Sequence, residues 1–298
     1  MHENTDPARL VDDLVSLLTV EPTDDHHWQA KPQPGGVGRV FGGQVIAQAL
    51  QAAQGTVGDG KIAHSLHAYF LRGGKEGPPI DLRIARDFDG RSFSNRRVVA
   101  SQSGEPILNL TASFQRPETG IEHQQSSMPT VTPPEELVSD QELRRKMVEK
   151  RRDDMSEAQL AILLRPRPIE IRSPDARHWT NTEPREAQLE SWFRTVAPLP
   201  DDPALHRAVI AYASDYTLLG TSALPHGLSW MRNEIVGASL DHAIWFHRDA
   251  RADEWLLYST DSPWSGSGRG FNRGSIYDRK GRLVASVAQE GVMRRQKG

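Results

Sequence analysis

The sequence predicts an α+β protein in which one plan is laid down twice, and three observations carry that prediction. The uncharged run Gly42-Gly43-Gln44-Val45-Ile46-Ala47-Gln48-Ala49-Leu50 reads as a helix buried on most sides. The residues after it change to a period of two, in strand-like runs parted by Gly-, Asp- and Ser-containing turns. A second helix and a second set of strands then repeat the order, with Arg72 matching Arg248, Asn95-Arg96 matching Asn272-Arg273 and Gly104 matching Gly281 at an offset of about 177 residues.

A chain of 298 residues has room for two such units, each able to bury a core. The balance of 36 Lys plus Arg against 39 Asp plus Glu leaves a net charge of -3, which argues against a binder of nucleic acid or of membrane surfaces. A neutral or small acidic partner is expected instead. The absence of cysteine removes disulfides, thiolate metal sites and a cysteine nucleophile together. The opening Met1-His2-Glu3-Asn4 has no basic stretch leading into an apolar one, and no run is long and apolar enough to span a bilayer. A soluble, cytoplasmic protein without metal or cofactor is the expectation.

In chain order, Leu10 to Leu18 has helical spacing, and Thr23-Asp24-Asp25 to Pro34-Gly35-Gly36 reads as an irregular, ligand-loop-like segment. The buried helix at Gly42 has Gln44, Gln48 and Gln51 as its polar stripe, and its glycines let a sheet come close. Strands are expected at His64 to Leu71, Ile80 to Phe88, Ser92 to Gln102 and Ile107 to Phe114. From Gln115 to about Pro168 the composition turns to Pro, Glu and Arg, which reads as a solvated connector with one amphipathic helix between Glu142 and Asp154. The expected units are thus 1–116, a connector 117–168, and 169–298.

The second unit opens with strands at Ile169 to Arg172 and Gln188 to Val196. Asp202-Pro203 then starts a helix whose apolar face is Leu205, Val209, Tyr212, Ala213, Tyr216 and Leu219. Further strands are expected at Ala238 to Arg248, Glu254 to Thr260, Gly270 to Asp278 and Arg282 to Met293. Asp215 sits beside the apolar face of that helix, where a carboxylate is costly unless it pairs, caps a backbone group or does chemistry. Gln289 shares the inward face of the last strand with Ala285 and Val287, so it braces a backbone or holds a ligand or water. Ser239 opens a strand. At the repeat offset Gln289 falls on Ala112, and Asp215 falls near Gly43, so one half carries a polar set that the other lacks.

Other motifs fall away on geometry. His64 and His67, like His242 and His247, are an odd number of positions apart on strands and point to opposite faces, which is wrong for chelating one metal. Gly266-Ser267-Gly268-Arg269-Gly270 precedes a strand, not a helix, so it reads as a flexible turn and not a phosphate loop.

The runs Arg39-Val40-Phe41-Gly42-Gly43-Gln44-Val45, His64-Ser65-Leu66-His67-Ala68-Tyr69-Phe70-Leu71-Arg72 and Ala211-Tyr212-Ala213-Ser214-Asp215 resemble the acyl-CoA thioesterase II family. So do Asp241-His242-Ala243-Ile244-Trp245-Phe246-His247-Arg248, Arg269-Gly270-Phe271 and Gln289-Glu290-Gly291. The resemblance covers nearly all of the chain outside the connector and implies a double hotdog fold, two tandem units each with a long helix wrapped by an antiparallel sheet. It implies hydrolysis of fatty acyl-CoA to fatty acid and CoA, with Asp215 as base and Ser239 and Gln289 holding the attacking water, and no covalent intermediate. Serine stands at 239 where many members have threonine, which keeps the hydroxyl. The backbone amides of Gly43 and Gln44, at a helix N-terminus, are the expected oxyanion donors, and association into a homo-oligomer is expected. A hotdog enoyl-CoA hydratase or a non-catalytic acyl-CoA-binding or scaffold protein are the alternatives. No Gly-Asp-x-Asn-Pro stretch supports the first, and the joint presence of Asp215, Ser239 and Gln289 speaks against the second.

Overall fold

The structure is a computed structural model and describes residues 6–31, 38–58, 60–175, 183–228 and 234–296. Helix α1, Pro7–Leu18, starts where Asp6 accepts the amide of Ala8 and Pro7 fills the first turn, and it buries Val11, Leu14 and Leu18. Two short strands, β1 (Val20–Pro22) and β2 (His27–Ala30), form a hairpin turned by Asp24, whose Oδ1 accepts the amides of His26 and His27. This hairpin stands where the sequence predicts an irregular segment. Trp28, half-buried, and Ala30, buried, do alternate with exposed His27 and Gln29, but a run of four residues is too short to set a strand apart from a loop. The Pro34-Gly35-Gly36 end of that segment lies outside the described residues.

Helix α2, Gly42–Gly55, is buried along most of its length, as its lack of charge requires. Gln48, fully buried, donates to the carbonyl of Leu17 and ties α2 to α1. The strands β3 (Ile62–Phe70), β4 (Ile80–Asp89), β5 (Phe93–Gln102) and β6 (Glu105–Gln115) follow, all antiparallel to their neighbours, close to the expected bounds.

The connector holds two helices, not one: α3 (Asp140–Arg151) and α4 (Glu157–Leu164), each with a serine N-cap, Ser139 and Ser156. It is not merely a solvated spacer. Asp140, Arg144 and Val148 of α3 are buried, because every third or fourth residue of this charged helix faces the second unit.

Strands β7 (Ile169–Arg172) and β8 (Gln188–Thr195) lead to α5, Pro203–Ser214, capped by Asp202 through the amide of Ala204. Asp215 is the C-cap residue. A run of 3-10 helix, Leu218–His226, ends on Gly227 in the left-handed conformation (φ 59°). The strand expected from Ala238 to Arg248 is two strands, β9 (Ile235–Ser239) and β10 (Asp241–Phe246), broken at Leu240. Strands β11 (Leu256–Gly266), β12 (Arg269–Asp278) and β13 (Leu283–Arg295) complete the unit. The supposed flexible turn is a tight two-residue hairpin, with Ser267 and Gly268 both at positive φ.

One antiparallel sheet runs through both halves in the order β1-β2-β4-β5-β6-β3-β10-β13-β12-β11-β8-β7, with β9 also on β13. The seam is β3 against β10, Leu66 opposite Ile244, and α2 and α5 pack together in the concavity of the sheet. Gln289 pairs with Asn272 as Ala112 pairs with Arg96, so the strands repeat. Buried Arg96 then answers to buried Asn272 at an offset of 176, and the match of Asn95-Arg96 with Asn272-Arg273 is out by one residue. The repeat fails at the helices. Gly43 lies in the first turn of α2 and Asp215 closes α5, so they are not counterparts, because the long 3-10 segment after α5 shortens the offset there.

Candidate active site

Helices α2 and α5 are arranged so that the N-terminus of one meets the C-terminus of the other. Asp215 stands at that meeting point. Phe41, the N-cap residue of α2, makes no side-chain cap, and instead Asp215 Oδ2 accepts the amide of Gly43 over 2.8 Å. A side chain at 43 would be driven into the carbonyl oxygen of Tyr212 and the ring of Phe41, so only glycine lets the helices come this close.

The other carboxylate oxygen, Oδ1, accepts Gln289 Nε2 at 2.7 Å and Ser239 Oγ at 3.4 Å. Gln289 arrives from β13 opposite the break between β9 and β10, and the break at Leu240 leaves Ser239 at the end of β9 facing Asp215. Thus the three residues named from the sequence are brought together.

Asp215 is buried, and burial pushes its pKa up to about 6, against the pull of the hydrogen bonds from Gln289, Gly43 and Ser239. It also faces the negative end of α5 and the positive end of α2, whose fields oppose one another.

The two amides expected to meet an oxyanion are engaged within the protein. Gly43 donates to Asp215, and Gln44 donates to the carbonyl of Phe41 at 3.1 Å. As oxyanion donors they would have to exchange these acceptors. In this arrangement Gly43 holds the carboxylate.

Three further groups join the site that sequence reasoning did not place there. His242, fully buried on β10, has Nδ1 at 3.1 Å from Gln289 Nε2 and 4.0 Å from Asp215 Oδ1, and its Nε2 lies 2.9 Å from Ser214 Oγ. Burial pushes its pKa down to about 4, which keeps the ring neutral. Ser214 Oγ donates to the carbonyl of Ala211, and the hydroxyl of Tyr258 donates to the carbonyl of Ser214. The signal for His242 was available, since strand alternation puts it in one row with Ile244 and Phe246 on the buried face.

A cavity of about 330 Å³ opens at Asp215. Ile171, Leu189, Leu219, Ala223, Leu224 and Leu228 give it apolar walls, and Asp140, Arg144 and Arg167 supply polar ones from the connector. Asp140 is pushed up to about 6 by burial, with Arg144 and Arg167 pulling it down, and Arg144 is lowered to about 9 by its own burial. Among the described residues no three His, Asp or Glu side chains gather as metal ligands do.

Models of the acyl-CoA thioesterase N-terminal and C-terminal domains match residues 31–115 and 141–293. The chain is 38% identical to acyl-coenzyme A thioesterase 8 of Homo sapiens, over 94% of this chain and 88% of that protein. It is 35% identical to acyl-CoA thioesterase 2 of Haemophilus influenzae, over 96% and 98%. The crystal structure of an acyl-CoA thioesterase II from Mycobacterium marinum superposes with a TM-score of 0.76 at 38% identity, covering 96% of this chain and 98% of that one. A hotdog-fold protein from Alicyclobacillus acidocaldarius superposes at 0.74 with 18% identity, over 95% and 98%, a likeness of fold alone.

Proposed function

Because the chain belongs to the acyl-CoA thioesterase family, with the double hotdog fold expected of it, we propose that it hydrolyses fatty acyl-CoA by direct attack of a water that Asp215 deprotonates and that Ser239 and Gln289 position. The observation that carries this reading is the convergence of Gly43, Gln289 and Ser239 on one buried carboxylate at the mouth of an apolar cavity.

A general base works best when its pKa lies near the working pH, and burial brings Asp215 to about 6. Its Oδ1 and the Ser239 hydroxyl bracket a place where a water can give up a proton, once Ser239 turns its one hydrogen from Oδ1, to which it donates over 3.4 Å, onto the water oxygen. Gln289 turns its amide nitrogen toward Asp215, which leaves Oε1, buried and without a partner among the described residues, to accept the water's second hydrogen. Held at three points, the water has little freedom left to lose on reaching the thioester carbonyl. The acyl chain lies along Leu219, Ala223 and Leu224. Attack forms the new C–O bond, the tetrahedral intermediate collapses with cleavage of the C–S bond, and the thiolate of CoA leaves and takes up a proton.

The test is quenched-flow hydrolysis of a fatty acyl-CoA at high enzyme concentration, with the mass of the quenched protein measured alongside. CoA and free acid are expected to appear together from the first turnover, with the protein unmodified. A burst of CoA ahead of acid, or an acyl adduct on the chain, overturns direct attack by water.

A further inference from the structure

We propose that His242 is a positioning residue that fixes which end of the Gln289 amide meets Asp215, and so which end meets the attacking water. The inference rests on the Asp215, Ser239 and Gln289 reading above and adds to it a residue that touches neither substrate nor water.

A glutamine amide has two ends of nearly equal size, one donating and one accepting, and something must choose between them. While Asp215 is ionised it makes the choice itself, since only the NH2 end suits a carboxylate. Once Asp215 has taken the proton from water it becomes a hydroxyl donor on the same oxygen, and the reversed amide, carbonyl toward Asp215, becomes equally acceptable. That reversal would point the NH2 end at the tetrahedral oxygen and take away the acceptor needed for the next water.

His242 removes the ambiguity, and the polarity of its bonds can be followed from a group that has no choice. The carbonyl of Ala211 only accepts, so the Ser214 hydroxyl donates to it at 2.9 Å. The free lone pairs of Ser214 Oγ then accept His242 Nε2–H, at 2.9 Å. With its proton on Nε2, the ring presents a bare Nδ1, which accepts the second amide hydrogen of Gln289 at 3.1 Å. Gln289 Nε2 therefore has an acceptor on the His242 side whether or not Asp215 is protonated. The low pKa of the buried ring is consistent with this, since a cationic His242 would turn Nδ1 into a donor and favour the wrong end of the amide. The first unit shows what the strand position looks like without the device: Ala112 stands where Gln289 does, and its neighbour across the sheet on β3 is Leu66.

The test uses His242→Leu, His242→Asn and Ser214→Ala in the full chain, with kcat, KM, melting temperature and the acid limb of the pH–rate profile measured for each. The titratable groups around Asp215 that could also move that limb are His242 on β10, Tyr258 on β11, Tyr216 after α5, and Asp140, Arg144 and Arg167 across the cavity. All but His242 are unchanged in the three variants. His242→Leu is expected to lose about 10- to 100-fold in kcat with KM within about twofold. Its acid limb should rise, because an amide free to reverse accepts from protonated Asp215 and so stabilises the acid form. His242→Asn, whose side-chain oxygen can stand where Nδ1 does, is expected to recover most of the rate and return the limb. Ser214→Ala, a mild change one step further out, should release the tautomer and cost about tenfold. It keeps the proposal open to test if His242→Leu does not fold. Nitrogen NMR of the wild type should show His242 protonated on Nε2. Wild-type kcat and acid limb in folded His242→Leu or Ser214→Ala, or no recovery in His242→Asn, overturns the role of His242 while leaving the catalytic reading intact. That reading fails separately if Asp215→Asn keeps its turnover.

Discussion

The amide of Gly43 donates to Oδ2 of Asp215 over 2.8 Å, so the first turn of one repeat's helix holds the carboxylate that ends the helix of the other. Neither unit has this arrangement alone. Replacing Gly43 with alanine would push a methyl into the Tyr212 carbonyl and the Phe41 ring, and the helices must part to admit it. The expected cost is about 1 to 3 kcal/mol of stability. It should come with lower kcat and a higher acid limb, since Asp215 loses a donor that lowers its pKa. Melting curves and pH–rate profiles of Gly43→Ala check both.

Among the described residues the Gln289 side chain braces no backbone group, and its hydrogen bonds go to Asp215 and His242. Gln289→Ala should therefore lower kcat by roughly 5- to 150-fold, about 1 to 3 kcal/mol in the barrier, with the melting temperature nearly unchanged. A large fall in melting temperature at constant turnover would make the glutamine structural.

Asp215 and His242 pull stability in opposite directions as pH changes. The folded state raises the pKa of Asp215 from 3.8 to about 6, so its contribution is fully present below 3.8 and is lost as pH rises through 6. His242 falls from 6.5 to about 4, so its contribution is present above 6.5 and is lost as pH drops through 4. Asp215→Asn removes the first effect. The melting temperature of the variant, relative to wild type, should rise between pH 4 and pH 7, by the equivalent of about 2 kcal/mol. A difference that stays flat over that range would mean the carboxyl is not raised.

Ala223 lines the cavity and is buried. Ala223→Leu should shorten the acyl chain the enzyme accepts, with kcat/KM for the longest chains falling about tenfold or more while short chains change little. Assay across a graded acyl-CoA series measures it, and a uniform change across the series would mean the chain runs elsewhere.

Much of this was legible in the sequence, because each legible part has a local cause. Asp202-Pro203 started α5 as a capping side chain and a first-turn proline must, and Gln289 stood out because alternation put an amide in an apolar row. The hairpin β1–β2 is not legible because its strands have three and four residues, too few for the alternation of His27 to Ala30 to stand out. The break at Leu240 was invisible because it exists to let β13 pair with β9 and β10 in turn, a relation between distant segments. The charged helix α3 looked solvated. Its Asp140 and Arg144 line the cavity because β7 of the second unit packs against α3 and the 3-10 segment forms another wall, which composition cannot reveal. His242 was weighed only as a metal ligand, and its partners are a glutamine and a serine far from it in sequence.

The central claim is that Asp215 takes the proton from the attacking water. The direct measurement is kcat for free-thiol release from a fatty acyl-CoA by Asp215→Asn, on protein whose melting curve shows it folded. An amide cannot accept that proton, so kcat should fall by about two to four orders of magnitude. Turnover within a fewfold of wild type would contradict the account.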